Sequence, residues 1–80
     1  MAREAQKVKV YSVKRSFGKH VTIVEGVLEG GKELAKKLKT KLAAGGTFKE
    51  GKIEIQGEHK EKVKKILLAS GYSQDQIEVE

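Results

Sequence analysis

The sequence predicts an α+β fold, a two-layer α/β sandwich in which two helices cover one face of a mixed β-sheet. Three observations predict it. Short stretches rich in Val, Ile and Thr alternate with polar residues at period two, as half-buried strands do. Two longer stretches, 32–44 and 60–70, repeat apolar residues at helical spacing, and each has a single apolar stripe. Glycine-containing breaks order these pieces as β-β-α-β-β-α-β. Eighty residues make one domain, and a domain of that size buries only about 60% of its unfolded surface, so the core is small.

Residues 1–6 are polar and are expected to form a flexible N-terminal segment, with a single domain over 7–80. The first strand starts at Lys7: Val8 and Val10 alternate with Lys7 and Lys9, which buries one face. Tyr11 and Val13 continue the apolar positions on the other parity. A slip of one residue reverses faces, so a bulge or strong twist is expected near Tyr11–Ser12. A basic tip follows, in which Gly18 takes a positive φ, and Val21-Thr22-Ile23-Val24 opens the return strand.

Glu29-Gly30-Gly31 breaks the chain before a helix from about Lys32 to Ala44. Leu34, Leu38 and Leu42 recur every four residues, with Ala35 beside them. Gly45-Gly46 is expected to end this helix, one of the two as the left-handed C′ residue. Thr47-Phe48-Lys49 and Ile53-Glu54-Ile55-Gln56 read as short strands joined by a tight turn at Lys49-Glu50-Gly51-Lys52. The second helix runs from about Lys60 to Ser70, with Val63, Ile66, Leu67 and Ser70 inward, and Gly71 stops it. Ser73-Gln74-Asp75 turns the chain into a last edge strand, Ile77-Glu78-Val79-Glu80.

The net charge is +6. Residues 1–41 carry eleven Lys and Arg against four Asp and Glu, whereas residues 42–80 carry six against seven. A basic half beside a near-neutral half implies one cationic surface, whose commonest partner is nucleic acid. An anionic membrane prefers an amphipathic helix with exposed bulky apolar groups, so no membrane partner is expected. The same Lys- and Glu-rich composition without Asn, Cys, Trp or Pro also characterises proteins from hot environments, whose charges form surface networks. Composition alone leaves a binding surface and a solvated one equally open.

The absence of Cys excludes a disulfide framework, a thiolate zinc site and a cysteine nucleophile. No apolar run approaches 18 residues and none follows Met1-Ala2-Arg3-Glu4, so neither a membrane span nor a signal peptide is expected and the chain reads as cytoplasmic. Gly30-Gly31-Lys32 lacks the upstream glycine and the hydroxyl residue of a phosphate loop. His20 and His59 are 39 positions apart, a spacing that requires no metal. Small α/β folds can host phosphatase chemistry around an Arg, but no Asn is present to position a water. Neither catalysis, nor a metal, nor a cofactor is expected.

The strongest functional signal is Lys14-Arg15-Ser16-Phe17-Gly18-Lys19-His20, a charged hairpin tip. Arg15 can fork onto a phosphate, and Lys14 and Lys19 serve as mobile point charges. Phe17 can stack on an unpaired base, worth roughly 1–3 kcal/mol, and His20 can add a polar or stacking contact. The opposing reading folds Phe17 back onto the sheet and uses the charges to blunt a hairpin end. Lys32, Lys36, Lys37, Lys39 and Lys41 of the first helix form a second candidate contact, whereas Lys60, Lys62, Lys64 and Lys65, mixed with Glu58 and Glu61, read as a solvated face. With four aromatic residues and no Lys-Gly-Phe-Gly-Phe-like strand, the sheet is not of the RNP type. Contact should be to phosphates and shape.

Three ordered segments resemble the translation initiation factor one family. They are Phe17-Gly18-Lys19-His20-Val21-Thr22-Ile23-Val24-Glu25-Gly26, Lys36-Lys37-Leu38-Lys39 through Ala44-Gly45-Gly46-Thr47, and Ile53-Glu54-Ile55-Gln56-Gly57-Glu58-His59-Lys60. The last is similar to the family's Gln-Gly-Asp-x-Arg segment, with Glu58 and Lys60 as replacements; Lys lacks the fork of Arg. The resemblance covers about residues 8–80, and the Gly-Gly-Thr wording is most similar to archaeal members. It implies the same sandwich fold, no enzymatic activity, and binding to ribosomal RNA of the small subunit near the P site. It also implies a role in initiator tRNA placement and start-codon fidelity, with initiator tRNA and other initiation factors as further partners of a monomer. The family's basic loop maps onto Lys14, Arg15, Ser16, Phe17, Gly18, Lys19 and His20, and its basic helix onto Lys32, Lys36, Lys37, Lys39 and Lys41. The alternative classes are a general RNA-binding module and a protein-interaction module without ribosomal specificity.

Overall fold

The computed structural model describes residues 7–27 and 29–80; the flexible segment expected over 1–6 lies outside them. Strands β1 (Val8–Lys14) and β2 (His20–Glu25) form a hairpin closed by a 3-10 turn at Ser16–Gly18. Helix α1 (Gly31–Leu42), strands β3 (Gly46–Lys49) and β4 (Lys52–Gln56), helix α2 (Lys60–Ala69), a second 3-10 turn (Gln74–Gln76) and strand β5 (Ile77–Val79) complete the chain. The order is the one the sequence predicts. The five strands form one sheet in the order β3-β4-β2-β1-β5. All pairings are antiparallel except β1 with β5, which is parallel.

The register explains the core. Val10 pairs with Val24, Val24 with Ile53, and Ile53 with Phe48. Paired residues share a face, so one side of the sheet is apolar from β1 to β3. Against it α1 presents Leu34, Ala35 and Leu38, and α2 presents Val63 and Leu67, all buried. Each helix contributes only its apolar stripe, which leaves its lysines outside. Helix α1 lies over β3 and β4, and α2 over β1 and β5. The ring of Phe48 sits against Gly31, where a Cβ would collide with it. That close approach is the physical use of the Gly-Gly break.

Two local expectations are corrected. No bulge occurs at Tyr11–Ser12: the β1–β2 register runs unbroken from Lys9↔Glu25 to Lys14↔His20. Tyr11 and Val13 instead face the uncovered side, opposite Ile23 and Val21. Their change of parity builds a second apolar strip, in which Ile23 is only 4% exposed although it stands outside the main core. The end of α1 also differs. The left-handed residue is Ala43, with φ 52°, and its N–H donates to Thr40 O. The glycines are committed elsewhere: Gly45 O accepts from Gln56 N–H at 2.8 Å, and Gly46 lies so close to Glu54 O that a side chain there would overlap it. The helix therefore stops before Ala44. The turn between β3 and β4 is as expected, with positive φ at both Glu50 and Gly51, the requirement of a tight type I′ hairpin turn.

Candidate nucleic-acid interface

The β1–β2 hairpin extends beyond its neighbours. Strand β5 pairs with β1 only as far as Val10, and β4 pairs with β2 only from Thr22 onward. Residues 12–19 thus form a two-stranded arm, and at its root Gly57 still bridges Val21. Because the strand pairing continues to Lys14↔His20, these two residues belong to the strands, and the tip proper is Arg15–Lys19. Two bonds close it: Arg15 N–H donates to Lys19 O at 2.6 Å, and Lys19 N–H donates to Ser16 O at 3.4 Å. Phe17 has φ 63° and ψ 27°, and Gly18 has φ 73°. Two consecutive left-handed residues make a turn of type I′.

All seven residues from Lys14 to His20 are exposed, and no acidic residue lies among them. Phe17 is 98% exposed, so the alternative in which its ring folds back onto the sheet is not the one adopted. The cations point in different directions. Lys14 and His20 share the parity of Thr22 and Val24 and so stand on the helix side of the sheet. Arg15 reaches the opposite face, where its guanidinium lies 3.4 Å from Glu54. Around that pair Val21, Gly46, Thr47 and Gln56 line a shallow open groove. Both partners are about half exposed, and such a pair contributes little to stability.

The base of the arm is anchored by Thr22, which is fully buried. Its hydroxyl donates to Gly57 O and accepts from His59 N–H, both at 2.8 Å. His59 Nε2 bonds Gln56 O at 2.9 Å, and Gly57 N–H donates to His20 O at 2.8 Å. The segment Gln56-Gly57-Glu58-His59 thus ties the arm, the end of β4 and the start of α2 together.

On α1 the five lysines divide. Helical spacing puts Lys32, Lys36 and Lys39 on one flank of the apolar stripe and Lys37 and Lys41 on the other. Lys37 donates to Ser70 Oγ of α2 at 2.9 Å, which identifies its flank as the one facing α2. Lys39 and Lys41 occupy the last turn, where cations also offset the helix dipole, at the end of the sheet from which the arm leaves. Lys32 sits at the other end of the helix, roughly 14 Å away along the axis. The arm and the last turn of α1 therefore form one cationic end of the molecule; Lys32 lies apart from it.

Sequence reasoning missed Thr22, Glu54 and the arm-anchoring use of His59. The signal for Thr22 was present: it shares the buried parity of Val24, and a buried hydroxyl needs partners. Across the uncovered face, Tyr11 OH donates to Glu25 at 2.7 Å, and Lys52 lies 3.7 Å from the same oxygen. The tyrosine bond, chiefly, holds the Glu25 carboxyl below the usual carboxylate range, and the same bond raises the Tyr11 phenol. Among the described residues no group of three or more His, Cys, Asp or Glu is placed to hold a metal ion. No helix there is long and apolar enough to cross a membrane.

Fold and arm together define a small α+β module that displays cations and one aromatic ring at the end of a braced hairpin. The family model described as "Translation initiation factor SUI1" matches residues 4–73. A protein translation factor SUI1 homolog of Methanosphaera stadtmanae is 57% identical, over 99% of this chain and 81% of its own length. The homolog of Methanothermobacter thermautotrophicus is 54% identical over the same shares, and that of Thermococcus onnurineus 52% over 98% and 83%. The chain belongs to the SUI1 family of translation initiation factors, which are not enzymes.

Proposed function

We propose that this factor works by occupying ribosomal RNA of the small subunit near the P site, where it promotes initiator tRNA placement and start-codon fidelity. The arm residues Lys14, Arg15, Ser16, Phe17, Gly18 and Lys19, with His20 at their root, make the primary contact, and Lys39 and Lys41 in the last turn of α1, with Lys36 on the Lys39 flank, the secondary one; Lys32, at the far end of the helix, and Lys37, which bonds Ser70, are left out of it. The mechanism is competition. While bound, the factor disfavours the closed arrangement that correct codon–anticodon pairing stabilises. Good pairing overcomes it, and the factor leaves. Such a role needs a rigid tip, reversible affinity and no reacting group.

One observation carries the reading: a braced arm exposes Lys14, Arg15 and Lys19 with no acidic residue in the arm itself, while Glu54 of β4 lies 3.4 Å from Arg15. Chemical footprinting of ribosomal RNA on purified archaeal small subunits, with and without the protein, tests it. Protection of a compact set of nucleotides around the P site is expected. Protection scattered over the subunit surface would instead make the chain a general RNA binder. Binding that ignores salt would make it a protein-interaction module, since five phosphate contacts require a log–log salt slope of roughly −3.5 to −4.5.

A further inference from the structure

The turn at the end of the arm carries a residue that its shape does not favour, as the β3–β4 turn does with Glu50; what sets Phe17 apart is that the residue is a bulky apolar ring left in solvent. A type I′ turn asks for positive φ at both central positions, and Asn-Gly or Gly-Gly meet that demand without strain. Here the first central residue is Phe17, at φ 63° and ψ 27°. A bulky side chain in the left-handed region is a backbone outlier, and it persists only when something else over-determines it. Packing does not: the side chain is 98% exposed. The fold obtains nothing from the ring, yet the ring stands at the farthest point of the arm, with Arg15 and Lys19 on either side.

We infer that Phe17 is a stacking post for a single unstacked nucleobase, so that the arm recognises a bulged or looped-out base within paired RNA rather than a uniform run of phosphates. This rests on the ribosomal reading above and sharpens its ligand. Lysine and arginine at the tip attract any phosphate chain and carry no preference between paired and unpaired RNA. An aromatic face distinguishes them, because only a base outside the stack offers its own face. The left-handed backbone makes the presentation rigid: the Phe17-Gly18 pair and the two closing bonds fix where the ring starts, which lowers the ordering cost on binding. A lipid surface is the rival occupant. It would want several bulky apolar groups together, and Ser16 and Gly18 flank this one ring.

The test uses the full chain and its Phe17→Asn and Phe17→Trp variants. The probes are an RNA duplex, the same duplex with one bulged 2-aminopurine, purified small subunits, and phosphatidylserine–phosphatidylcholine vesicles. Wild type and Phe17→Trp should bind the bulged duplex more tightly than the plain one, by roughly 5- to 150-fold, and should quench the 2-aminopurine. Phe17→Asn should lose that preference and the quench. It should also melt higher by about 2–8 °C, since Asn tolerates the left-handed backbone. Affinity and stability moving in opposite directions is the signature. Equal preference in all three proteins, or a lower melting temperature for Phe17→Asn, overturns the inference. So does partition onto vesicles that depends on Phe17 without any bulge preference. If the subunit still binds with a steep salt slope in those cases, the ribosomal reading stands and only the stacking post falls. If wild type ignores the subunit but keeps the bulge preference, the ribosomal reading falls and the stacking post stands; if it shows neither, both fall.

Discussion

Thr22→Val removes one oxygen atom and keeps the side-chain shape. In the native protein that oxygen serves two partners at 2.8 Å, Gly57 O and His59 N–H, inside a side chain with no exposed surface. Valine satisfies neither. Each net hydrogen bond is worth about 0.5–1.5 kcal/mol, and a buried group left unpaired costs about 1–3 kcal/mol. Gly57 and His59 are half-buried, so water reaches them in part, and the lower half of the combined range applies: about 1–3 kcal/mol. For a domain of this length that lowers the melting temperature by roughly 5–20 °C. The loss should also be local. The His59 amide, deprived of its acceptor, should exchange hydrogen faster than the Leu67 amide in the interior of α2. Because Gly57 N–H also holds His20 O at 2.8 Å, loosening should spread into the arm and weaken subunit binding in excess of any change in charge. Thermal melting, amide exchange and subunit titration read the three effects. A variant as stable as wild type, with unchanged His59 protection, would show that the Thr22 hydroxyl anchors nothing.

Three further outcomes are expected. Arg15→Ala with Lys19→Ala should reduce the salt slope of subunit binding by about 1.4–1.8, yet hardly change the melting temperature, since the Arg15–Glu54 pair is half exposed; a large drop in melting would make the tip structural. Leu38→Ala should do the reverse, costing about 2–5 kcal/mol of stability, because the side chain is fully buried between α1 and the sheet; denaturant titration checks it. The Tyr11–Glu25 bond should stabilise the fold in a pH window. Its folded carboxyl pKa is lowered, so that contribution is present above the unfolded carboxylate value and lost as pH falls through the folded one; the folded phenol is raised, so its share is lost as pH rises through that value. Melting differences between wild type and Tyr11→Phe should therefore be widest at neutral pH and shrink at both extremes, and a pH-independent difference would exclude the linkage.

Elements whose evidence is periodic were legible in the sequence. Leu34, Leu38, Val63 and Leu67 announce their helices and face the core. The order of strands followed because each break carries glycine. Legibility failed where one residue type serves two geometries. Gly45-Gly46 looks like a helix stop, but a helix can also end on a left-handed Ala43, and glycine is needed just as strongly where two backbones touch, as Gly46 and Glu54 do. The parity change at Tyr11 looks like a bulge because sequence assigns one apolar face per strand; this sheet has an apolar strip on each. The arm itself was readable, but the direction of its cations was not. Arg15 on one face and Lys14 and His20 on the other depend on register and on a partner, Glu54, 39 positions away.

The magnitudes fit the proposed competition, in which the factor binds and then leaves. At about 0.1 M salt each phosphate contact contributes roughly a factor of 5–8, so five contacts give an affinity near 10⁴ M⁻¹. Charge alone would hold such a protein only at about 0.1 mM, and on any RNA. One base stacked on Phe17, as inferred above, would add roughly one or two powers of ten, bring the dissociation constant toward micromolar and confine binding to sites with an unstacked base. A larger patch would bind harder but less selectively, and would leave more slowly. An arm that pairs few cations with one ring gains its selectivity from where the ring is held. A two-stranded ribbon is marginal by itself. The arm therefore depends on its root in β1 and β2, which are both internal to the sheet, and on the buried Thr22 hydroxyl that locks that root in place.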